Sequence, residues 1–274
     1  MRDKPLKLTG ERLMTTVSGE SVTEHLHRYA LALPQCAGKE VLDIACGEGY
    51  GSALLRQMAT RVTGVDIDPA AVAHAAAKYR RPNLEFRQGS CDAIPLPDAS
   101  VDVVVSFETL EHHDRHVEMI GEIRRVLRPG GLVLISTPDT VNYSEKPGYR
   151  NPFHVKELTR DQFRDLLTHS FRHVSLALQR ITHGSLVVPE NGGAAELSLL
   201  RGSFDAIEPL AVEPVYLIAW ASDSPLPPLV ASFFDGEAVL RQQFHAVLSS
   251  ASYRLGHRLL QPVRWFSRQL KLLS

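Results

Sequence analysis

From residue 40 onward, two patterns of apolar residues alternate along the chain. Short apolar runs, each long enough for one buried strand, alternate with stretches in which apolar residues recur every three or four positions. The runs predict strands at 40–45, 61–66, 84–88, 101–107, 131–136, 172–179 and 213–221. Strands that alternate with helices are typical of an α/β protein built around a largely parallel sheet.

The helical stretches have one apolar face each. They predict helices at 18–33, 49–59, 69–79, 115–127 and 159–168. In 115–127 the apolar face includes Val117, Ile120 and Ile123, and the sequence Arg-Pro-Gly-Gly at 128–131 is expected to end this helix before the next strand.

The pattern divides the chain into three parts. Residues 1–34 are predicted to form an N-terminal cap segment, residues 35–223 the sheet domain, and residues 224–274 a proline-rich linker with a helical tail. Within the sheet domain, glycines and a proline interrupt the alternation of strands and helices at 184–211. This stretch is therefore predicted to be an insertion or a lid.

Composition narrows the class of protein. The 274 residues are 44% hydrophobic and 22% charged, a balance that is typical of a globular protein and excludes a disordered or fibrous one. The three cysteines have no spacing that indicates disulfides or a zinc site, which favours a reducing, cytoplasmic location. We expect no signal peptide and no membrane-spanning helix, because no apolar run is long enough.

A glycine-rich turn follows the first predicted strand. Gly47, Gly49 and Gly51 are spaced two apart, which fits the dinucleotide motif Gly-x-Gly-x-x-Gly poorly. Asp43 lies at the end of the strand before them, where a carboxylate would repel a pyrophosphate. The same carboxylate would hold the ammonium of an amino-acid moiety, directly or through water, so the pattern indicates S-adenosylmethionine.

A second carboxylate supports this interpretation. Asp66 ends the next predicted strand, about 20 residues after the glycines, where a carboxylate binds a ribose diol by two hydrogen bonds. Asp68 is followed by Pro69 at a first helical position, so it is predicted to cap the next helix.

With these residues, the segment of about 40–180 resembles the class I S-adenosylmethionine-dependent methyltransferases. The resemblance rests on four motifs in the expected order: Asp-Ile-Ala-Cys-Gly-Glu-Gly at 43–49, Ile-Pro-Leu-Pro-Asp at 94–98, Leu-Glu-His at 110–112 and Arg-Arg-Val-Leu-Arg-Pro-Gly-Gly at 124–131. It implies a Rossmann-like, doubly wound sheet of seven strands in the order 3-2-1-4-5-7-6, with the last strand antiparallel.

The resemblance also implies the cofactor contacts. They fall on Asp43, Gly47, Gly49, Asp66, Ile67, Ser90, Cys91 and Phe107. Many members of the family have an aspartate where this chain has Ser90, so Ser90 and the Cys91 amide are assigned to the adenine, and Asp92 only if the loop shifts by two residues. Arg28 and Tyr29 are further candidates for the cofactor carboxylate.

Histidines gather after the fourth predicted strand, at the edge of the sheet where ligands bind. If the acceptor is a hydroxyl, His112 is the first candidate for a general base, and His113 and His154 are alternatives. The Glu-His pair could instead only shape the cofactor pocket. A metal site made of His112, His113 and His116 is disfavoured, because these residues lie in a loop and form no clean ligand set, so no metal is predicted.

The C-terminal tail has its own charge pattern. From residue 238 onward there are six basic residues and no acidic one, whereas residues 1–237 have 24 basic and 31 acidic residues. From 254 the basic and apolar residues follow helical spacing, which predicts an amphipathic helix on an anionic membrane surface. Packing on the core or on a partner is the alternative, and six charges among leucines make nucleic acid a poor candidate.

A second resemblance concerns the substrate. This chain resembles bacterial methyltransferases associated with the glycosyltransferases of surface-polysaccharide assembly. The resemblance rests on Gly-Glu-Arg at 10–12, Glu-His-Leu-His-Arg-Tyr at 24–29, Asn-Pro-Phe-His-Val at 151–155 and the basic tail. It implies O-methylation of a sugar hydroxyl, polysaccharide-assembly enzymes as partners and a peripheral position at the inner face of the plasma membrane. The alternatives are methylation of a quinone or another small phenol, and a non-catalytic S-adenosylmethionine-binding scaffold.

Overall fold

The computed structural model describes residue 6 and residues 12–183, 197–203, 205–253 and 255. The strands are β1 Glu40–Ile44, β2 Arg61–Asp66, β3 Leu84–Gln88, β4 Val101–Phe107, β5 Leu127–Pro138, β6 His173–Gln179, β7 Leu200–Gly202, β8 Ile207–Pro209 and β9 Tyr216–Ser222. The α-helices are α1 Glu20–Ala32, α2 Tyr50–Leu55, α3 Pro69–Lys78, α4 His116–Val126, α5 Arg160–Thr168 and α6 Glu237–Ser249. Among these helices none is long and apolar enough to cross a bilayer.

Seven strands form one sheet in the order β3-β2-β1-β4-β5-β9-β6. β9 is the seventh strand of this sheet along the chain and pairs antiparallel with both β5 and β6, whereas the other pairs are parallel. The predicted order and the antiparallel last strand are therefore confirmed. β7 and β8 form a separate two-stranded hairpin within the predicted insertion, of which residues 184–196 and 204 lie outside the described part.

Both faces of the sheet are covered, as expected for parallel strands with crossover helices. Along β9, Leu217 and Ala219 belong to the core on one face, together with residues of α4 and α5. Ile218 and Trp220 belong to the core on the other face, together with residues of α1 and α2. This alternation is the period of two that a strand imposes on its side chains.

The start of β5 differs from the prediction. The strand begins at Leu127 rather than near 131, and Leu127 pairs with Val101 across a shift in register. Gly130 has a φ of +75°, a conformation that favours glycine, so the Arg-Pro-Gly-Gly segment forms an irregular first part of the strand. The helix before it, α4, already ends at Val126.

Two local predictions are confirmed. The Asp68 side chain accepts a hydrogen bond from the Ala70 amide at 2.8 Å and caps α3, with Pro69 at the first helical position. The N-terminal helix is present as α1, and its Tyr29 packs against Gly51, where an added Cβ would lie 1.9 Å from the Tyr29 ring.

The tail from 254 is described only at Leu255, so its predicted helix lies outside the described residues.

Candidate active site

A cleft of about 720 Å³ opens at the carboxyl ends of β1, β2 and β4. This is the edge at which open α/β sheets bind their ligands. Eight of the ten predicted site residues line the cleft: Gly47, Asp66, Ile67, Ser90, Cys91, Phe107, His112 and His154. The cofactor and acceptor candidates therefore share one cavity, and their contacts with the ligands stay predictions.

Asp66 lies at the base of the cleft and is only 6% exposed. Its Oδ2 accepts from the Gly47 amide at 2.8 Å, and its Oδ1 accepts from the Asp68 amide at 3.0 Å. Gly47 has a φ of +58°, which places its amide toward the carboxylate without steric strain. Asp66 therefore ties the glycine turn to the end of β2 and presents a fixed carboxylate to a ligand.

The remaining cofactor candidates surround this carboxylate. Ile67 stands at the lip with 70% of its surface exposed, and Phe107 is buried in the opposite wall, edge-on to the Tyr29 ring. Ser90 and Cys91 line the cleft beyond β3, and burial raises the pKa of the Cys91 thiol to about 11. A neutral thiol and an apolar rim suit the flat face of a nucleobase.

Asp43 and Gly49 are not among the described residues that line the cleft. Asp43 is buried and accepts from Ser52 Oγ at 2.6 Å and from the Tyr29 hydroxyl at 3.3 Å. Burial raises the pKa of Asp43 to about 7, although both hydrogen bonds oppose this shift. Its contact with a cofactor ammonium stays a prediction, and in this geometry Asp43 positions Tyr29, whose ring lines the cleft.

Gly49 has a packing role that sequence spacing did not predict. Its φ is +89°, and an added Cβ would lie 2.7 Å from Ala75 and 2.9 Å from the Phe86 ring. The residue therefore lets the glycine turn pack against α3 and β3.

The N-terminal segment supplies lining residues that were not predicted from the sequence. Arg12 lies over the glycine turn, 3.2 Å from Asp68 and 3.7 Å from Asp66, and Leu13 and Val17 line the same wall. The neighbouring Thr15 donates to the buried Glu48 at 2.9 Å, which anchors the segment. The only sequence signal was the Gly-Glu-Arg at 10–12 noted in the second resemblance.

At the other end of the cleft, His112 and His154 lie together, with ring centroids 5.2 Å apart. His112 Nδ1 is 3.1 Å from the Phe153 carbonyl oxygen. A carbonyl only accepts, so Nδ1 donates the proton and Nε2 of the neutral ring bears the lone pair.

The state of His154 follows from its two neighbours. Its Nδ1 is 2.6 Å from Glu157 Oε1, and its Nε2 is 3.0 Å from the amide nitrogen of Asn151. The Asn151 oxygen accepts from the Phe153 amide at 3.0 Å, which fixes the orientation of the Asn151 side chain. Since an amide nitrogen only donates, His154 also has its proton on Nδ1 and its lone pair on Nε2.

Glu111 is the third member of this corner and is 1% exposed. Its Oε2 accepts from Thr137 at 3.2 Å, and its Oε1 is 4.0 Å from His112 Nε2. Burial raises the pKa of Glu111 well above its usual range, and the nearby Glu108 adds to the shift. The backbone oxygen of Glu111 accepts from Val155 at 2.7 Å, which holds the loop that carries His154 beside His112.

The other histidines of the cluster are engaged elsewhere. His113 Nδ1 accepts from the Arg115 amide at 3.1 Å, and its Nε2 faces Cys91 Sγ at 3.4 Å. His116 is buried, with Nε2 2.8 Å from the carbonyl oxygens of Leu110 and His113. Neither ring shares the corner of His112 and His154.

Arg28 is fully buried between α1 and the sheet. Its Nε donates to Gln179 Oε1 at 2.8 Å, its NH1 lies 2.9 Å from Glu108 Oε1, and its guanidinium lies over the Tyr216 ring. Tyr29 lines the cleft, whereas Arg28 is not among the described lining residues. A direct contact of Arg28 with a cofactor carboxylate stays a prediction.

This fold and this cleft define an α/β protein with a ligand site at the carboxyl edge of its sheet, beside a buried carboxylate and a glycine turn. Residues 42–135 match the family model "Methyltransferase domain". The chain is 41% identical over 202 residues to the "Probable S-adenosylmethionine-dependent methyltransferase" of Mycolicibacterium smegmatis, with 72% of this chain and 74% of that protein covered. The chain therefore belongs to the S-adenosylmethionine-dependent methyltransferases.

A more distant relative and a solved structure extend the comparison. The phthiotriol/phenolphthiotriol dimycocerosates methyltransferase 1 of Mycobacterium ulcerans is 32% identical over 136 residues, which is 48% of each chain. The crystal structure of a methyltransferase from Archaeoglobus fulgidus has a TM-score of 0.54 and 21% identity, with 74% of this chain and 93% of that chain covered. At this identity the likeness supports the fold alone.

S-adenosylmethionine is the cofactor, and it supplies a methyl group on a sulfonium. The cleft fits it, because the Asp66 carboxylate is buried at the base and the positive-φ Gly47, which lines the cleft, lets the backbone approach the ligand. The chain's own contribution is to position the acceptor and to exclude water at the reacting end.

Proposed function

We propose that this methyltransferase O-methylates a sugar hydroxyl in a cell-surface polysaccharide or a related glycan. The observation that carries the proposal is the pair of imidazoles, His112 and His154, whose Nε2 lone pairs are both set by Nδ1 hydrogen bonds. Basic nitrogens held in one tautomer suit an acceptor that must lose a proton, as a hydroxyl does.

The walls near this pair favour a polyhydroxylated acceptor. Tyr143, Asn151 and Tyr216 line the same end of the cleft, so hydroxyl and amide groups stand beside aromatic faces. The Tyr143 ring is stacked on His154 with centroids 5.3 Å apart, and it lies 5.9 Å from the Tyr216 ring. Few precisely placed polar groups on an aromatic wall are typical of a site that orients a small ligand or one sugar unit.

The proposal is tested with S-adenosylmethionine labelled at the methyl group. We expect the full-length chain to transfer label to a lipid-linked glycan extract, in a linkage that survives alkali as an ether does. His169→Ala is the matched control, because His169 is exposed after α5 and should label as well as the wild type.

Two other outcomes would contradict the proposal. Label in a quinone precursor or another small phenol, with none in the glycan, would favour the small-molecule alternative. A chain that binds the cofactor but labels neither extract would favour a non-catalytic scaffold in a polysaccharide-assembly complex.

We further propose that the tail brings the enzyme to an anionic membrane surface, where lipid-linked acceptors and assembly enzymes are found. Support comes from the six basic residues without an acid after 237, and from α6, whose Leu240, Phe244 and Val247 are exposed. Each basic residue near such a surface contributes about 1 kcal/mol.

Deletion of residues 254–274 should abolish sedimentation with anionic liposomes and leave cofactor binding intact. The expected loss follows from the five basic residues that the deletion removes. Liposome binding that survives the deletion, or a truncated chain that unfolds, would instead indicate that the tail packs on the protein.

A further inference from the structure

The corner of the cleft that contains His112 and His154 has the composition of a metal site. Glu111, His112 and His154 each offer one ligand atom, and these three atoms lie within 4.8 Å of one another. Two imidazoles and one carboxylate are a donor set that divalent transition-metal ions such as zinc bind.

The hydrogen bonds behind the two rings support this assignment. Histidines that bind a metal through one nitrogen usually donate the other N–H to a carboxylate or a backbone carbonyl. His154 donates from Nδ1 to Glu157 Oε1 at 2.6 Å, and His112 donates from Nδ1 to the Phe153 carbonyl oxygen at 3.1 Å. Both Nε2 atoms therefore bear the lone pairs that a metal ion needs.

Burial and charge also favour a cation here. The side chains of Glu111 and His154 are 1% and 8% exposed, and that of His112 is 22% exposed toward the cleft. The buried Arg28 forms an ion pair with Glu108, with NH1 2.9 Å from Glu108 Oε1. Glu157 behind His154, whose side chain is 10% exposed, adds a second acid to the corner.

We propose that Glu111, His112 and His154 bind one divalent transition-metal ion, with zinc as the probe, at the acceptor end of the cleft. Three protein ligands leave a fourth position open on a tetrahedral ion. This inference rests on the proposed function in one respect: the open position faces the cleft and would take the oxygen of the acceptor hydroxyl.

Binding requires a small movement of the three side chains. Ligand atoms around a tetrahedral zinc ion are about 3.3 Å apart, given zinc–nitrogen bonds of about 2.0–2.1 Å, so the side chains must draw together. The Asn151 amide nitrogen, now 3.0 Å from His154 Nε2, must also turn away. Asn151→Ala removes this competitor and should bind zinc at least as tightly as the wild type.

The test is a zinc titration of the full-length, untagged chain after removal of metal with a chelator. Competition with a zinc-binding dye, without any acceptor present, measures the affinity and the number of ions bound. We expect one tight ion per chain, weakened by Glu157→Gln roughly 10- to 100-fold and by His112→Ala or His154→Ala by more. A cobalt-loaded chain should show visible absorption that the same two alanine variants lose.

His113→Ala is the matched control, because the lone pair on His113 Nδ1 accepts from the Arg115 amide and its ring faces Cys91. It should bind zinc like the wild type. A metal-free wild type that binds no zinc, or binding that is unchanged in both His112→Ala and His154→Ala, would overturn the inference. A chain that binds zinc but methylates no glycan would contradict the proposed function and would still support the metal site.

Discussion

His112→Ala should lower kcat by roughly 10²- to 10⁴-fold, the range that follows when a group that activates the acceptor is removed. His112 lies at the acceptor end of the cleft, and its Nε2 faces Glu111 Oε1 at 4.0 Å. The Asp66 carboxylate and the glycine turn lie at the other end. The variant should therefore bind S-adenosylhomocysteine, the demethylated cofactor, as tightly as the wild type.

Three measurements separate the roles that His112 could have. Single-turnover rates give the chemical step, calorimetry with S-adenosylhomocysteine gives cofactor affinity, and a wild type stripped of metal shows whether the loss follows the ion. If the stripped wild type loses the same activity, His112 acts through the metal; if it keeps full activity, His112 acts as the base itself. An unchanged kcat in His112→Ala would move the catalytic assignment to His154.

The sheet could be predicted because its signals are local. A run such as Val103-Val104-Val105 and the apolar face of α4 follow from periods of 2 and 3.6 residues, and the motif order implied how the strands are arranged. The beginning of β5 was missed for a local reason as well. Proline and glycine at 129–131 indicate a break, and only the +75° φ at Gly130 and the pairing of Leu127 reveal an irregular strand.

The site was predictable in part for the same reason. Gly47, Asp66 and His112 follow strand ends, and the carboxyl ends of parallel strands meet at one edge of the sheet. The partnership of His112 with His154 depends on a long loop that the Glu111 backbone holds in place, and no short-range pattern specifies it. For this reason, the metal site considered from the sequence contained His112 and its chain neighbours His113 and His116. In the fold, His112 lies instead beside Glu111 and His154.

Asp66→Ala should weaken S-adenosylmethionine binding by on the order of 10²-fold or more. A hydrogen bond to a charged group contributes about 1.5–3 kcal/mol, and a carboxylate that binds a ribose diol makes two of them. In this chain Asp66 also accepts from the Gly47 and Asp68 amides, so the variant loses the contact that ties the glycine turn to β2. Both effects reduce cofactor affinity, and calorimetry measures their sum.

Two further variants separate the loss of the ribose contact from the loss of the contact that holds the glycine turn. Asp66→Asn retains one side-chain oxygen, which can still accept from the Gly47 amide, whereas its NH2 cannot accept from the Asp68 amide. This variant should keep the tie to the glycine turn and lose affinity to a smaller extent than Asp66→Ala. Asp68→Ala removes a carboxylate two residues away that caps α3, which costs helix stability of about 1 kcal/mol while cofactor affinity stays near the wild-type value. If Asp66→Ala and Asp68→Ala bind the cofactor equally well, the ribose assignment of Asp66 is wrong and its role is limited to holding the turn.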